Sequence, residues 1–490
     1  MRKNVVKLAS IFIVVSLTIL LCACQKRPAK DVVISKGDGA FDTNVVTSDT
    51  EEHDPDAVQH VKISDDFYCT DGSVHFLLNL DSSTRACNMP VVEVVPHFLS
   101  EEDAKRVSEV LFNDVDGYEA QPLLAQTYSK PEIKKCITRW SPYTSSDGIK
   151  SLFGVEDEFT VEVVKSKIEN LTAQYDTAAD VDVRQPCNWK FQKEAYYNYA
   201  GNEAAAAEKY LDNDMIRATF EVNGAVYDYS VVTRNKADYK LNDISAYFHT
   251  EGSPMSIDAA IYQAQFCRTG KPGEAELVAV KAQAEDMLSR MNLGQWSIAQ
   301  CNIETNLEGV DEYVIHVTAV PVLNSVPALP VPQLTNLKSD TVYASNYYMT
   351  MAEFRFSSNG DLIYFHMESP IDVKQVVNEN VAIINFESLI SKAKDHLVLS
   401  DVSAYVPTYV MSNKEKMVCN IDIDSFQYGL LRVKVPNTDE SYYYVPGIVL
   451  SGLVTVETKD GSKLYYTSES PIALVALNAV DGTIIELTNG

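Results

Sequence analysis

The sequence predicts an α+β protein: a mixed helical and β N-terminal domain, followed by tandem units of antiparallel β-meander with one covering amphipathic helix each. Three observations lead to this prediction. Apolar residues recur with a helical period in several short segments. Runs rich in β-branched and aromatic residues surround these segments. After residue 257, a helix, a meander and a closing hairpin occur twice. One helix per unit covers the single face that an antiparallel sheet must bury.

The first residues have the pattern of a signal peptide. Arg2, Lys3 and Lys7 precede Leu8–Leu21, a run of uncharged residues. This run is shorter than the roughly 20 apolar residues that a helix needs to span a bilayer. An uncleaved N-terminal membrane helix is the alternative interpretation, and the short run disfavours it.

The end of this run, Leu21-Cys22-Ala23-Cys24, resembles the bacterial lipobox, although Cys22 replaces the usual Ala, Ser or Thr. The resemblance implies cleavage after Ala23 and diacylation of Cys24, the predicted lipidation site. Two acyl chains anchor a protein stably, whereas one chain binds reversibly. We therefore expect residues 1–23 to be removed and the mature protein to be held on the outer face of the cytoplasmic membrane.

Composition limits the partners of the chain. Its 490 residues are 46% apolar, which suffices for two or three domains with sizeable cores. The net charge is −27, and removal of the three positive charges of the signal peptide leaves −30. Such a surface repels nucleic acids and anionic lipids, so we expect no nucleic-acid partner and a membrane contact through the lipid alone. Residues 24–60 are acidic and lack periodicity, which predicts a flexible tether spanning roughly 30 Å.

Residues 61–250 are predicted to form the N-terminal α+β domain. Asp71-Gly72 and Asn223-Gly224 mark β-hairpins. Ser100 is a predicted N-cap, because acidic residues follow it and apolar residues recur behind them. Further helices are predicted from the apolar spacing between Val161 and Tyr175 and from the alanine-rich segment 201–211.

The two predicted repeat units cover residues 257–375 and 376–490. The first unit begins with a predicted helix whose apolar residues recur on one face from Leu277 to Met291. The second unit begins with a predicted helix of the same kind from Phe386 to Leu397. Strand-like segments follow each helix, and each unit closes on a hairpin, at Asn359-Gly360 in the first and Asp481-Gly482 in the second. In the first unit, the proline-rich segment 321–333 is predicted to be a loop, an edge arm or polyproline II, because proline donates no ladder hydrogen bond.

The helix-plus-meander pattern and the ending "PIALVALNAVDGTIIELTNG" resemble the PepSY-type and YycI-like extracytoplasmic modules of Firmicutes. With its lipobox and acidic tether, the whole chain is similar to an uncharacterised lipoprotein family of clostridia. The resemblance implies regulation of peptidases or sensor kinases by contact, not catalysis. It transfers no functional residue other than the lipobox cysteine.

The sequence contains no HExxH, GxSxG, P-loop or GxGxxG motif. Ser391 and Lys394 have the SxxK spacing of penicillin-recognising enzymes, but the accompanying SxN and KTG elements are missing, so we interpret Lys394 as a solvated helix residue. Segment 113–119 lacks EF-hand spacing and is interpreted as a surface turn. Asp422 and Asp424 share one strand face and are interpreted as solvated, with a glycosidase-like carboxylate pair as the alternative. We therefore predict no catalytic residue.

Histidine and cysteine do not indicate a metal site or another cofactor. The eight histidines are at least seven residues apart, and His75, His316 and His366 are interpreted as packed or surface strand residues. Seven cysteines remain in the mature chain besides Cys24, with no CxxC pair, so neither a disulfide framework nor a zinc site is indicated. Whether any of these cysteines pair stays open, and so does the oligomeric state.

The leading functional hypothesis is a non-enzymatic lipoprotein that binds or regulates another envelope protein. The first alternative is a protein that binds or processes envelope polysaccharide or peptidoglycan. The chain has 27 tyrosines. A groove lined by exposed tyrosines and facing acids would favour that alternative, because tyrosine rings stack on sugars. The second alternative is capture of a small ligand in an apolar pocket between units.

Overall fold

The fold was analysed on a computed structural model that describes most of the chain after residue 57. It describes residues 58–70, 72, 74–85, 89–120, 128–154, 156–182, 184–193, 214–236, 239–248, 261, 270–305, 313–330, 350–399, 416–434, 441–461, 463–467 and 471–485. The predicted signal peptide, Cys24, nearly all of the predicted tether and the predicted helix at 201–211 lie outside these residues.

The described residues form α-helices and β-strands, numbered here in chain order. The helices are α1 (Glu101–Phe112), α2 (Lys130–Trp140), α3 (Ser146–Phe153), α4 (Glu158–Tyr175), α5 (Glu274–Met291) and α6 (Phe386–Leu399). The first ten strands are β1 (Val58–Tyr68), β2 (Val74–Arg85), β3 (Met89–Pro96), β4 (Tyr118–Glu119), β5 (Gln192–Lys193), β6 (Asp214–Val222), β7 (Ala225–Lys236), β8 (Tyr239–Phe248), β9 (Trp296–Thr305) and β10 (Tyr313–Leu323). The others are β11 (Val326–Pro327), β12 (Met351–Phe356), β13 (Leu362–Glu368), β14 (Ile371–Val381), β15 (Met417–Lys434), β16 (Tyr442–Thr458), β17 (Leu464–Thr467), β18 (Ile472–Asn478) and β19 (Ile484–Ile485).

The strands form two sheets. Sheet A has the order β1-β2-β15-β16-β18-β19, with β3 between β16 and β14 and with β17 paired to β16. Sheet B has the order β11-β10-β12-β13-β8-β7-β6-β4, with β9 paired to β10 and β5 paired to β6. The chain thus starts in sheet A, builds all of sheet B, and returns to sheet A. Sheet B is antiparallel throughout, whereas β2 and β15 pair in parallel in sheet A.

The predicted α+β class is confirmed, whereas tandem meander units are not clearly shown. Strands β9, β10, β12 and β13 do follow α5, and β15, β16, β18 and β19 do follow α6. However, β13 continues into β8, β7 and β6, and β15 pairs with β2. A short meander leaves open strand edges, and additional strands satisfy the hydrogen-bonding groups of those edges. The segment predicted as domain 61–250 therefore contributes strands to both sheets.

Several local predictions are confirmed. The Ser100 hydroxyl accepts a hydrogen bond from the backbone N–H of Asp103, and the Asp103 carboxylate accepts one from the backbone N–H of Ser100. The two bonds form the capping box that fixes the start of α1. Asn223 and Gly224 both have positive φ, of 50° and 84°, as a two-residue hairpin between β6 and β7 requires.

Helices cover one face of each sheet. Apolar residues of α1 and α5 pack on the inward residues of sheet B, around Phe354 and Phe365. The predicted stripe of α6, from Phe386 to Leu397, is buried against sheet A. Helices α2, α3 and α4 form a separate apolar cluster around Trp140. In the described part of the chain, no helix combines the length and apolarity needed to cross a membrane.

Several contacts join the two sheets within the described residues, and two of them involve predicted features or charged groups. The proline-rich segment continues from β10 through Leu323 into β11, and the Leu329 backbone N–H then donates to the Leu430 carbonyl of β15 at 2.9 Å. The described part of this segment, residues 321–330, is therefore an edge arm. Next to it, His97 after β3 contacts Asp372 of β14 through Nδ1 at 3.0 Å, and its Nε2 lies 3.4 Å from Asp103 of α1. The helix layer of sheet B is thereby tied to the edge of sheet A.

Candidate functional site

The candidate site is the outward face of sheet B, opposite α1 and α5. Side chains alternate between the two faces of a strand, so the buried apolar residues of β12 and β13 leave polar residues on the other face. We call the outward side chains of β6, β7, β8, β10, β12 and β13 the polar face, and β9 borders it next to β10. Most of its polar side chains are half-buried instead of fully exposed.

Register places the residues of the polar face in rows that run across the strands. The first row contains His316, Arg355, Tyr364, Tyr247, Asp228 and Thr219. The second row contains Thr318, Glu353, His366, Ser245, Ser230 and Arg217. The third row contains Met351, Glu368, Asp243, Val232 and Met215. Strands are about 4.8 Å apart, so a row over six strands measures about 24 Å.

An imidazole, a carboxylate and a buried carboxyl group meet in the second and third rows. His366 Nε2 lies 3.0 Å from Asp243 Oδ2. Burial opposes the charged imidazole, but the hydrogen bond to Asp243 and the surrounding carboxylates outweigh it, and the pKa of His366 is raised. Glu368 is only 7% exposed, and burial raises its pKa to about 7. The Glu368 carboxyl group therefore changes its protonation state near neutral pH.

A second imidazole lies at the other end of the same face. His316 Nδ1 is 2.8 Å from Glu304 Oε1 of β9, and His316 Nε2 is 3.8 Å from Glu353 Oε1 of β12. The hydrogen bond from His316 holds the pKa of Glu304 below its usual value against the opposing effect of burial. Imidazole groups therefore alternate with acids across five strands, in the order Glu304, His316, Glu353, His366 and Asp243.

Three buried polar atoms of this face have no hydrogen-bond partner within the described residues: Asp243 Oδ1, His316 Nε2 and Arg355 Nε. Leaving a buried polar group unpaired costs about 1–3 kcal/mol, so native structures satisfy most such groups. Here the three atoms come from β8, β10 and β12 and share one face. Buried polar atoms of this kind pair with enclosed water molecules in many native proteins.

Tyrosine rings accompany these atoms. Tyr364 and Tyr247 are opposite each other on β13 and β8, and the guanidinium carbon of Arg355 lies 5.6 Å from the Tyr364 ring centre. Burial raises the pKa of Tyr364 to about 12 and also raises the pKa of Tyr247. Both phenols therefore remain neutral and keep their hydroxyl hydrogens for donation.

Neighbouring elements flank the polar face. At the β6 side, Lys135 of α2 donates from Nζ to Glu221 Oε1 at 2.9 Å. At the opposite corner, Arg432 of β15 in sheet A is near enough to Glu368 to act against the raised pKa of that carboxyl. The face is therefore bordered by the α2–α4 cluster and by sheet A.

The motifs that the sequence singled out lie elsewhere. Lys394 pairs with Asp65 of β1, while Ser391 is exposed, so these two residues do not form a nucleophile and base. Asp422 and Asp424 are exposed on sheet A, as expected for solvated acids. In segment 113–119, Asn113 is the left-handed C-cap of α1, which agrees with a surface turn. Tyr442, Tyr443 and Tyr444 are buried, not exposed.

The described cysteines lie apart from the polar face. Five of them carry thiols and no disulfide: Cys69, Cys136, Cys187, Cys301 and Cys419. Burial raises the pKa of Cys187 and of Cys419 to about 12, which makes both thiols poor nucleophiles. Cys87 and Cys267 lie outside the described residues. Among the described residues, no group of three or more His, Cys, Asp and Glu is arranged to hold a metal ion.

Sequence reasoning missed the polar face as a site. The sequence predicts His316 and His366 only as packed or surface strand residues, and both do lie in strands. The segment "LIYFHME" does alternate Tyr364, His366 and Glu368 with apolar residues, a pattern typical of one polar strand face. That alternation identifies one strand, but the assembly of six strands into one surface depends on their register.

Comparison with known proteins adds one structural similarity. The chain is similar to an uncharacterized protein from Eubacterium rectale ATCC 33656, with a TM-score of 0.31 and 10% sequence identity over 84% of this chain and 91% of that protein. No family model matches the chain, and no curated protein matches it. The expected relationship to PepSY-type and YycI-like modules stays a prediction.

Proposed function

We propose that this chain is a lipid-anchored extracytoplasmic protein that binds or regulates another component of the cell envelope without catalysis of its own. The polar face of sheet B is the single observation that supports this most strongly. It combines aromatic rings and charges of both signs on one surface about 24 Å long. Protein interfaces are enriched in tyrosine and arginine, and Tyr364, Tyr247 and Arg355 lie side by side on this face.

The anchor belongs to the same proposal. The support comes from the basic start, the short apolar run and the Leu21-Cys22-Ala23-Cys24 segment. Diacylated Cys24 would hold the body on the outer side of the cytoplasmic membrane, with residues 25–60 as the tether. Replacement of Cys24 by serine is expected to move the protein from the membrane fraction to the soluble fraction.

Two classes of envelope partner agree with a mixed polar surface. A partner protein is the expectation from the sequence and its resemblance to modules that regulate by contact. The second candidate is envelope polysaccharide, and the side-by-side Tyr364 and Tyr247 with acids around them favour it. Aromatic rings next to carboxylates are an arrangement that suits sugars.

We also propose that residues 257–375 and 376–490 are diverged copies of one unit of the PepSY-like type. In support, each begins with one amphipathic helix, and each continues into antiparallel strands. The strands added from the first half of the chain would then be later extensions of both sheets. Superposition of α5, β9, β10, β12 and β13 on α6, β15, β16, β18 and β19 in sequence order tests this proposal.

Site-specific photo-crosslinking tests the binding function. A photoreactive phenylalanine derivative placed at Ser245, in the middle of the polar face, is expected to give crosslinked products in intact cells. The same derivative at Asp424, exposed on sheet A, is the matched control and is expected to give few. Equal crosslinking at both positions, or none at Ser245, contradicts the proposal.

A further inference from the structure

The outer edge of β1 is a long strand edge on sheet A, away from the polar face. β1 is the first strand in the order of its sheet, and among the strands that the structure describes only β2 pairs with it. The β1–β2 register runs from Val58 to Tyr68 without a shift. The free side of an edge strand presents backbone N–H and C=O groups that pair readily with another chain. β1 therefore offers 11 residues for the addition of a further strand.

Other edge strands of the two sheets are short or irregular. β14 carries three register shifts against β3, and the pairing of β9 with β10 contains one. β4, β5, β11 and β19 have two residues each. Bulges and short strands hinder pairing between the edges of two molecules. β1 is long and regular, so it is the edge best suited to accept another strand.

The pattern of backbone hydrogen bonds shows which β1 residues face this edge. The Cys69 N–H donates to the Val74 carbonyl at 3.0 Å, so Cys69 belongs to a hydrogen-bonded pair of the β1–β2 hairpin. Such pairs alternate with non-bonded pairs along an antiparallel hairpin. The odd-numbered residues of β1 therefore bond to β2, and the N–H and C=O groups of the even-numbered residues point to the outer edge. The exposed even-numbered residues are His60, Lys62, Ser64, Asp66 and Tyr68.

The charges on this edge select one partner strand and one register. Opposite charges directly across two strands stabilise their pairing, and like charges oppose it. If a second copy of β1 lies antiparallel with Ser64 opposite Ser64, Lys62 of each copy lies opposite Asp66 of the other. Sliding the second copy by four residues in either direction places Lys62 opposite Lys62, or Asp66 opposite Asp66. The edge is therefore complementary to itself when it is centred on Ser64.

We propose that this chain forms a two-fold homodimer through antiparallel pairing of β1 with β1 of a second copy, centred on Ser64. Each contact then occurs twice, as in any two-fold interface. Pairing from His60 to Tyr68 forms about ten backbone hydrogen bonds, a number typical of a specific protein interface. The Asp66 N–H, which donates to the Asp65 carboxylate at 2.9 Å in the single chain, donates instead to the Lys62 carbonyl of the second copy.

The dimer is expected to be weak. A pair of edge strands buries less than the roughly 800 Å² per partner of a stable interface. The net charge of −27 on each chain also opposes association. The fraction of dimer should therefore increase steeply with protein concentration.

Sedimentation velocity over a concentration series tests the dimer, with residues 24–490 carrying Cys24→Ser. The chain is expected to be monomeric at low concentration and dimeric at high concentration. Lys62→Asp and Asp66→Lys should each raise the dissociation constant about tenfold or more, because two attractive cross-strand pairs become repulsive. Asp424→Lys makes the same change of charge at an exposed position of β15 and is the matched control, which should not weaken the dimer.

The double variant with Lys62→Asp and Asp66→Lys separates the contact between copies from contacts within one chain. Within the chain, Lys62 pairs with Asp81 and Asp66 pairs with His75. The double variant restores neither of these pairs, but it places opposite charges across the two copies again. It should therefore recover the dissociation constant of the parent dimer to within a few-fold.

Oxidative crosslinking tests the register. The two Ser64 positions lie opposite each other with Cα atoms about 5.5 Å apart, a distance that a disulfide spans. Ser64→Cys should therefore give a covalent dimer on oxidation with copper phenanthroline. His60→Cys is the matched control on the same strand face, because its two copies lie about 27 Å apart in this register. The parent chain measures the background from the native thiols.

Each contrary result overturns a defined part of the proposal. A chain that stays monomeric at every concentration overturns the dimer. A dimer that Lys62→Asp and Asp66→Lys leave unchanged overturns the assignment to β1. Single variants that weaken the dimer without recovery in the double variant, or Ser64→Cys that crosslinks no more than His60→Cys, overturn the register centred on Ser64.

Discussion

The outward faces of the two sheets carry similar polar residues but pair them differently. On sheet A, both ring nitrogens of His75 have partners, with Asp66 Oδ1 at 2.7 Å from Nε2 and Asn420 Oδ1 at 3.1 Å from Nδ1. Asn420 in turn donates from Nδ2 to Glu457 at 2.7 Å. On sheet B, by contrast, His316 Nε2 is buried and has no hydrogen-bond partner among the described residues.

Exposure explains why this difference matters. The Asp66 side chain is 66% exposed, so water completes the hydrogen bonding of the sheet A network. The Asp243 side chain is 26% exposed, and its Oδ1 atom is buried without a partner. A buried unpaired atom costs free energy that an exposed one does not. The comparison indicates that the His75 network of sheet A is satisfied by its own residues and by water, whereas Asp243 and His316 on sheet B each keep a buried atom with no hydrogen-bond partner among the described residues.

The largest expected effect is on the free energy of unfolding. It shows whether the stability of sheet B depends on its inward apolar residues and not on the polar face. Phe354 is fully buried under α1 and α5, next to Phe356 and Phe365. Phe354→Ala is expected to lower the free energy of unfolding by about 3–5 kcal/mol through the cavity it leaves. The adjacent outward variant Glu353→Ala should cost less than about 1 kcal/mol. Urea unfolding of both variants measures the difference, and similar losses would show that the polar face is a structural element.

The next effect concerns Glu368, the buried carboxyl group of the polar face. Its pKa in the folded protein is raised from 4.5 to about 7, so the unfolded chain releases this proton at a lower pH than the folded one. The folded state is therefore favoured at low pH, and this contribution is lost as the pH rises from 4.5 to about 7. Over this pH range the free energy of unfolding decreases by about 3 kcal/mol because of Glu368.

Glu368→Gln is expected to remove this pH dependence, because glutamine keeps the shape and stays neutral. Above pH 7 the variant should be more stable than the parent chain, by up to about 3 kcal/mol. Urea unfolding across this pH range measures it, with Asp422→Asn on sheet A as the matched control. A parent chain and Glu368→Gln variant with parallel pH profiles would contradict the raised pKa of Glu368.

Local elements could be predicted from the sequence because their signals are local. The Ser100 cap, the apolar stripe of α6 and the Asn223-Gly224 turn each depend on residues within a few positions of one another. The pairing of β2 with β15 joins His75 to Asn420, 345 residues apart, and no short-range pattern encodes that choice. For this reason the α+β class was predicted correctly, while the way the two sheets share the first strands was not.

The candidate site escaped prediction for a related reason. Tyr364, His366 and Glu368 alternate visibly in β13, but Asp243 and Tyr247 come from β8, more than a hundred residues earlier. Whether an acid on a strand is solvated or paired depends on its neighbours in the sheet. The same sequence reasoning was right for Asp424, which is exposed on β15.

The smallest expected effect compares the two imidazole–carboxylate pairs directly. His366 and Asp243 have side chains 23% and 26% exposed and are 3.0 Å apart, whereas the Asp66 partner of His75 is 66% exposed. Double-mutant cycles for unfolding, with His→Gln and Asp→Asn changes, should give a coupling of about 1–2 kcal/mol for His366 and Asp243. The exposed pair should give about 0.2–1 kcal/mol.

The pH dependence of the first coupling sharpens the comparison. The pKa of His366 is raised above 6.5 in the folded protein, so the stabilisation from its charged form is complete below pH 6.5 and is lost as the pH rises through the folded value. The His366–Asp243 coupling should therefore be larger below pH 6.5 than in mildly alkaline buffer. Equal coupling energies for the His366–Asp243 and His75–Asp66 pairs at every pH would mean that burial on the polar face does not strengthen its charge pairs. The difference between the two sheets would then depend only on the buried atoms of the polar face that have no hydrogen-bond partner among the described residues.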